Sequence, residues 1–547
     1  MIEISGLDLH DISGDVEHAG RDAVRTEAID DEAVAFLPKL VADPLRRTDE
    51  DEIVKLVEIP FVEQELVEQR LLIGEFDRQI AVNNWQGFSE AVYCNGNGAC
   101  YNWAANDPMC PSWKVSRDRV QSPKGRASLI REWLRQMAAE GADPMALLNK
   151  PRHWLREVLE LPLRLRNRRQ DTSDFSHEVK ASMNTCLACK SCVGQCPIKV
   201  DVPEFRSKFL ALYHLRYPRP LKDYLVASLE FVLPWAAKVP RLYNGVMGFG
   251  PIKTLLSKVV GFEDGPLLTG INLQQALSAQ GIPLATPQSL AALSAEQKSR
   301  ALVLVQDAFT SYFETQVVID SALLLQKLGF YPLLAPYQAN GKPLHVHGFL
   351  RAFKKVAAQH TQALNALARA DLPLVGIDPA MSLCFRSEYR KHLDGTLPQV
   401  LLIQEFLHAR RSELTVQAAS QERFKLFPHC TEKTNAPSSS GQWQQVFKAL
   451  GLELDVVAAG CCGMSGTFGH ESANLAASKA LFAMSWEAPL KQHGDKALVT
   501  GYSCRSSSRR ASSWAGGSTP KRPRENCVVS LIMQQPVATP WLFTYSP

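Results

Sequence analysis

The segment CLACKSCVGQCP places Cys186, Cys189, Cys192 and Cys196 at C-x2-C-x2-C-x3-C, with Pro197 directly after the last. Iron in a [4Fe–4S] cube takes thiolate ligands, and such short spacings wrap one loop around three corners of a cluster. Structural zinc usually takes two separated C-x2-C knuckles instead. The spacing therefore predicts a [4Fe–4S] cluster here. In two-cluster ferredoxin folds the fourth Cys of this run serves the other cluster, which draws attention to CNGNGACYNWAANDPMCP and its Cys94, Cys100 and Cys110-Pro111. Two ligand sets fit. In one, Cys110 joins Cys186, Cys189 and Cys192, leaving Cys94, Cys100 and Cys196 to hold a three-Cys cluster or nothing. In the other, Cys196 closes the first cluster, and the early cysteines are vestigial or bind another metal. Cys94 and Cys100 are also consistent with unligated cysteines packed as small hydrophobes.

A second constellation comprises Cys430, Cys461-Cys462-Gly463 and Cys504. Adjacent cysteines do not easily bond to each other, and clustered thiolates suit iron–sulfur or zinc. The expectation is a second cluster or zinc at this CCG site. His429 and His470 are candidate extra ligands or proton donors, each weighed against a histidine satisfied locally. No Ser-His-Asp arrangement, P-loop or G-x-G-x-x-G fingerprint is present.

The elements that position these cysteines fall into two textures. From residue 300 the pattern is α/β: ALVLVQDAF as a buried strand, SALLLQKLG as a helix ending in Gly, and FYPLLAP as a second strand. The order recurs as FKLFPHC, WQQVFKALG and LELDVVAAG. Aligning Gly329 with Gly451 sets Ala339-Asn340-Gly341 on Cys461-Cys462-Gly463. The same register brings Asp307 within one residue of Cys430, and Cys384 within two of Cys504. In Rossmann-like units such positions lie at the C-terminal ends of strands. Before residue 300 the chain is helical: SLIREWLRQMAAEGADPMALLNK, PRHWLREVLELPLRLR, and helices broken at Pro218, Pro220, Pro234, Pro240 and Pro251. SPKGR (122–126) reads as a basic turn for a phosphate or a neighbouring domain, and Lys199 and Arg206 as surface charges.

The fold class expected is α+β and multidomain, a helical ferredoxin-like iron–sulfur domain followed by two α/β cysteine-rich (CCG) repeats. The boundaries are 1–80 (linker or junction, with 53–76 its most ordered part), 81–265 (iron–sulfur domain), 300–400 (degenerate repeat), 421–506 (intact repeat) and 507–547 (a Ser/Arg-rich tail, disordered or frameshifted, in place of the closing helix). A net charge of +4 over 547 residues gives no support for nucleic-acid binding. There is no signal-peptide pattern at the start, and no window reaches the ~20 apolar residues that span a bilayer. The nearest window, Asp223 to Val239, reads as an amphipathic helix packed on the body or on another subunit. A reducing, cytoplasmic compartment fits the thirteen cysteines as ligands rather than disulfides.

These motifs together resemble the large bacterial FAD- and iron–sulfur-containing D-2-hydroxyacid dehydrogenases, of the D-2-hydroxyglutarate dehydrogenase type, related to the D-lactate dehydrogenase and glycolate oxidase iron–sulfur subunits. The residues that carry it are CNGNGACYNW, MCPSWKVSRDRVQSPKGRASLIREWL, CLACKSCVGQCPIKVDVPEFRSKFL, CCGMSGTFG and GYSCRS, between about residue 70 and 506. The resemblance implies electron transfer from FAD, held on a missing domain or a flavin-domain partner, to a quinone, cytochrome or soluble carrier. It also implies that the chain begins near the flavin-domain junction (GEFDRQIAVNNWQGF), is inactive on hydroxyacid alone, and touches the inner face of the membrane at most peripherally. Two other expectations stand beside it: a heterodisulfide-reductase-like subunit with chemistry at the CCG site, and a non-enzymatic iron–sulfur fragment.

Overall fold

The computed structural model describes residues 77–151, 154–414 and 422–514. The expected junction region, including 53–76, lies outside these residues apart from 77–80, as does the tail beyond 514. The architecture is helix-rich with two small parallel sheets, an α+β fold.

The helical part is built on two long helices. Pro123–Ala139 starts where Ser122 Oγ accepts the Gly125 N–H at 3.0 Å, with Pro at the first position. Its Ala127, Ile130, Trp133 and Leu134 recur at helical spacing and are buried. Val202–Arg216 starts at Asp201, which accepts the Glu204 N–H at 3.1 Å, and buries Phe205, Phe209 and Leu212. Trp133 meets Phe209 edge-on at 5.2 Å. Val179 and Met183 of the helix Ser176–Asn184 complete this core, to which both cysteine segments are attached. SPKGR is therefore a capped helix start rather than a free turn.

Pro234 does not break its helix, contrary to expectation; it lies inside Leu221–Ala236. Proline there cannot bond the carbonyl four residues back. That carbonyl, of Glu230, instead accepts the Tyr337 hydroxyl at 2.7 Å.

The first α/β unit contains β1 (Ala301–Val305), β2 (Tyr331–Leu334), β3 (Leu374–Gly376) and β4 (Val400–Leu402), all parallel in the order β2-β1-β3-β4. Every residue of β1 is buried, as expected for a parallel strand covered on both faces. The second unit contains β5 (Arg423–Phe427), β6 (Glu453–Val456) and β7 (Ala497–Val499), parallel in the order β6-β5-β7. The two sheets thus have the same order over three strands. The first unit runs past its expected end at 400, through β4 and the helix Ile403–Ala409. Side chains from both sheets and their covering helices, among them Leu304, Phe406, Leu426 and Trp443, share one apolar cluster.

The second unit does have a closing helix. Tyr502–Trp514 covers the first eight residues of the expected tail. Its Ser/Arg composition hides the helix because its buried face is polar. Arg505 donates to Glu314 at 2.8 Å and to the Thr500 carbonyl at 2.7 Å, and Arg509 also pairs with Glu314. Arg510 pairs with Asp264 at 3.0 Å, and Ser507 Oγ donates to the Cys462 carbonyl at 2.8 Å. Among the described residues no helix is long and apolar enough to cross a membrane.

Candidate metal centre

The loop carrying Cys186, Cys189 and Cys192 is shaped by two residues in the left-handed region, Ala188 (φ 53°) and Lys190 (φ 57°). Few non-glycine residues adopt that conformation, and here it turns the chain between successive cysteines. Lys190 is held by buried Asp201 at 3.3 Å and Glu388 at 3.7 Å. Cys110 (φ 30°) precedes the helix Pro111–Ser116, whose Ser112 Oγ donates to the Thr185 carbonyl at 2.6 Å. This bond ties the early cysteine segment to the start of the later one.

As a result, Cys110, Cys186, Cys189 and Cys192 line one small cavity. Cys196 falls elsewhere, with its thiol within electrostatic reach of Cys94 and Cys100. Of the two ligand sets open from the sequence, the geometry assembles the one in which Cys110 is the fourth member.

The CCG cysteines converge as well. Cys430 opens the helix Cys430–Asn435 just beyond β5, Cys461 and Cys462 lie in the loop after β6, and Cys504 lies in the helix after β7. Gly463 (φ 79°) has no room for a side chain, since a Cβ there would lie 3.0 Å from both Cα and the carbonyl carbon of Ser478. Its N–H points at Cys461 Sγ, 3.4 Å away. The thiols adjoin one another in turn, each shifting the titration of the next: Cys189 beside Cys430, Cys430 beside Cys461, Cys461 beside Cys462, and Cys462 beside Cys504. The second α/β unit also caps three carbonyls of the ferredoxin-type loop. Ser465 Oγ donates to Leu187 at 2.8 Å, Thr431 Oγ1 to Cys189 at 2.9 Å, and Asn435 Nδ2 to Lys190 at 3.3 Å.

Burial pushes the Cys110 thiol up to about 12 and the Cys192 thiol well above its ordinary value. The neighbouring Cys430 thiol, together with burial, does the same to Cys189. Thiols are weak hydrogen-bond partners, so five in line are a poor use of buried volume unless they serve as thiolates. A multiply charged cation would compensate thiolates this deeply buried. The donors around them suit that state. Arg126, 1 % exposed, donates to Ser182 O at 3.1 Å and Thr185 Oγ1 at 2.8 Å, and its third nitrogen lies 3.9 Å from Cys110 Sγ. The Ala188 N–H faces Cys186 Sγ at 3.5 Å. The residues present therefore fit an iron–sulfur group at Cys110, Cys186, Cys189 and Cys192.

The histidines separate. His429 caps the Cys430 helix, its Nδ1 accepting the Thr431 N–H at 3.2 Å, and burial pushes it down to about 4. His470 is turned away onto Asp264 at 2.7 Å. In the first unit Asp307 is an N-cap, accepting N–H groups of Phe309 and Thr310 at 2.9 Å, and Cys384 is fully buried.

Arg206 is not the surface charge its sequence context suggests: it is 7 % exposed and donates to the carbonyls of Met183 (2.9 Å) and Val346. Lys199 is exposed, as expected. Arg126, hidden in SPKGR, gave no signal beyond its basic neighbours. A network with no sequence signature joins the helical part to the first α/β unit. Glu204 bonds His345 and His392, each at 3.0 Å, with Lys208 Nζ at 3.5 Å. A cavity of about 120 Å³ opens beside Cys186 and Cys189, lined by Lys180, Arg206, Lys222, Lys342, Phe309 and Tyr502 among others.

No family model and no solved structure matches the chain. Curated relatives do. The chain is 53 % identical to a D-2-hydroxyglutarate dehydrogenase of Pseudomonas putida over 80 % of its own length and 43 % of that protein's. It is 44 % identical to the D-2-hydroxyglutarate dehydrogenase of Escherichia coli, again over 80 % of this chain and 44 % of the relative. A more distant likeness, 21 % over 56 % of the chain and 76 % of the relative, is to one of the subunits of the anaerobic glycerol-3-phosphate dehydrogenase of Escherichia coli. The chain spans less than half the length of the D-2-hydroxyglutarate dehydrogenases it matches.

Proposed function

We propose that this chain is the iron–sulfur electron-transfer portion of a flavin-dependent D-2-hydroxyacid oxidoreductase, with 2-hydroxyglutarate as the substrate of the whole system. Cys110, Cys186, Cys189 and Cys192 would hold a [4Fe–4S] cluster, and Cys430, Cys461, Cys462 and Cys504 a second metal group. Cys94, Cys100 and Cys196 form a third, three-thiol set. The observation that carries this reading is the line of thiols running without a gap from Cys189 to Cys504. When bound, such clusters supply one-electron transfer to and from a two-electron flavin.

The chain's own residues do the positioning. Arg126 sets a fixed positive charge beside Cys110, which favours thiolate ligands there. Ser465, Thr431 and Asn435 clamp the loop so that Cys189 stays against Cys430. The cavity beside Cys186 and Cys189, with its cations and rings, gives a small acceptor or donor access to the cluster edge. FAD and the hydroxyacid site would lie on a flavin domain, in a further segment of the protein or on a partner.

The test is anaerobic reconstitution with iron and sulfide, EPR of the reduced protein, and D-2-hydroxyglutarate-dependent dye reduction with a flavin-domain partner added. A cluster signal and partner-dependent turnover are expected; absence of any cluster signal refutes the assignment. A heterodisulfide-reductase-like role is the second reading, favoured by the contiguity of the CCG thiols with the cavity lined by His429 and Cys189. It requires turnover of a thiol or disulfide substrate that the Cys461/Cys462 double variant loses while keeping the cluster on Cys186.

A further inference from the structure

The helix Leu221–Ala236 buries Val226, Ala227 and Leu233 but leaves much of its apolar surface outside. Its acids Asp223 and Glu230 are buried, while Phe231, Val232 and Trp235 (69 % exposed) face outward. The next three helical pieces, Pro240–Gly248, Gly250–Leu255 and Leu256–Val260, bury no residue at all. They expose Leu242 (67 %), Phe249, Leu255 and Val259 (65 %). More than half of the exposed large hydrophobic side chains among the described residues fall between 221 and 271. So many exposed apolar side chains within one stretch of chain mark an interaction site.

Charge identifies the occupant. Between Phe231 and Phe262 there is no acidic residue. Lys238, Arg241, Lys253 and Lys258 are all exposed, and among the described residues none makes an ion pair. Lys238 Nζ sits 4.1 Å from the Trp235 ring. Lysine is depleted from protein–protein interfaces, and three of these four cations are lysines. A second copy of the chain would bring like charges together, which is costly. Aromatic and aliphatic side chains flanked by unpaired cations, on short helices, are instead the composition of a segment lying in a bilayer interface. Anionic headgroups would take the cations while their stems and the neighbouring rings enter the acyl boundary.

We propose that residues 231–260 form a docking surface for an anionic lipid bilayer, holding the protein peripherally on the membrane. The proposal does not depend on the clusters. It does give them a setting, because the helix Leu221–Ala236 also supplies Lys222 and Val226 to the cavity beside Cys186 and Cys189.

The experiment is flotation of the full-length chain with vesicles of phosphatidylcholine alone or mixed with phosphatidylglycerol, at low and high salt. Binding is expected only with phosphatidylglycerol, weakened by salt. Each Lys→Gln change at 238, 253 or 258 should lower partitioning about fivefold, the equivalent of ~1 kcal/mol per basic residue near an anionic surface. Trp235→Glu with Leu242→Glu should abolish binding while the thermal melt is unchanged, both sites being exposed. In a second measurement, brominated lipids should quench tryptophan fluorescence in the unsubstituted chain, and less in Trp235→Phe. Equal binding to neutral vesicles, no binding, or binding indifferent to these substitutions overturns the proposal. So does a concentration-dependent dimer broken by Trp235→Glu in a chain that ignores vesicles, which would make the face a contact between copies.

Discussion

Gly194 lies between Cys192 and Cys196, in the short helix Ser191–Gln195. A Cβ there would stand 2.5 Å from the carbonyl carbon of Thr434 and 2.7 Å from its Cβ, where ordinary contact begins at 3.4 Å. The Thr434 carbonyl oxygen is nearer still, so for Gly194→Ala the facing backbone must retreat by more than the ~0.9 Å that would carry the carbonyl carbon from 2.5 to 3.4 Å. Thr434 belongs to the helix Cys430–Asn435, so the displacement acts where Thr431 and Asn435 cap the ferredoxin-type loop. Overpacking against backbone, which cannot rotate away, costs about 1–3 kcal/mol. A thermal melt of the anaerobic, reconstituted protein should therefore fall by several degrees. Iron bound at the Cys186 motif should persist, because no thiol is removed, while electron passage toward the CCG site slows as Cys189 and Cys430 separate. Gly441→Ala is the control. Gly441 lies in the helix Ser439–Ala449 with nothing within 4 Å of an added Cβ, so the change should stabilise by about 0.5–1 kcal/mol. If Gly194→Ala melts at or above the unsubstituted protein, or the two variants shift together, the close approach of these helices is not what holds the two sites in register.

Cys110→Ala should remove the principal EPR signal, while Cys196→Ala should leave it intact and alter only a second one; the opposite pattern would return the fourth position to Cys196. Glu230 accepts the Gly341 N–H at 2.6 Å through one oxygen, while the other is buried without a partner. Burial raises its carboxyl to about 7, so its contribution is complete below the ordinary value of 4.5 and is lost as pH rises to about 7. Glu230→Gln should remove that slope and gain roughly 3 kcal/mol above pH 7, read from denaturation between pH 5 and 8; an unchanged slope would show that Glu230 ionises freely.

The grouping of the first thiols was legible in the sequence because short spacing fixes which residues can meet. Cys186, Cys189 and Cys192 are adjacent along the chain, and one loop brings them together. The α/β texture was legible for a similar reason: ALVLV and RFKLF are local apolar runs, and the Gly329–Gly451 register predicted which positions follow equivalent strands. The closing helix was not. Its periodicity is carried by Arg505 and Arg509, whose partner Glu314 lies nearly two hundred residues away. Arg206 read as a surface charge for the same reason, since its acceptors are carbonyls on two other segments.

By itself, then, the sequence determined the supply of thiols, grouped by spacing on a helical part and an α/β part, that the proposed iron–sulfur groups would draw on. Only the tertiary structure decided which thiols share a site. Cys110 and Cys196 are both followed by proline and equally eligible on paper. The bond from Ser112 to Thr185 and the left-handed turns at Ala188 and Lys190 bring the first to the cavity and leave the second with Cys94 and Cys100. The contact of Cys189 with Cys430 is likewise a product of packing, made where Gly194 lets one helix backbone rest on another.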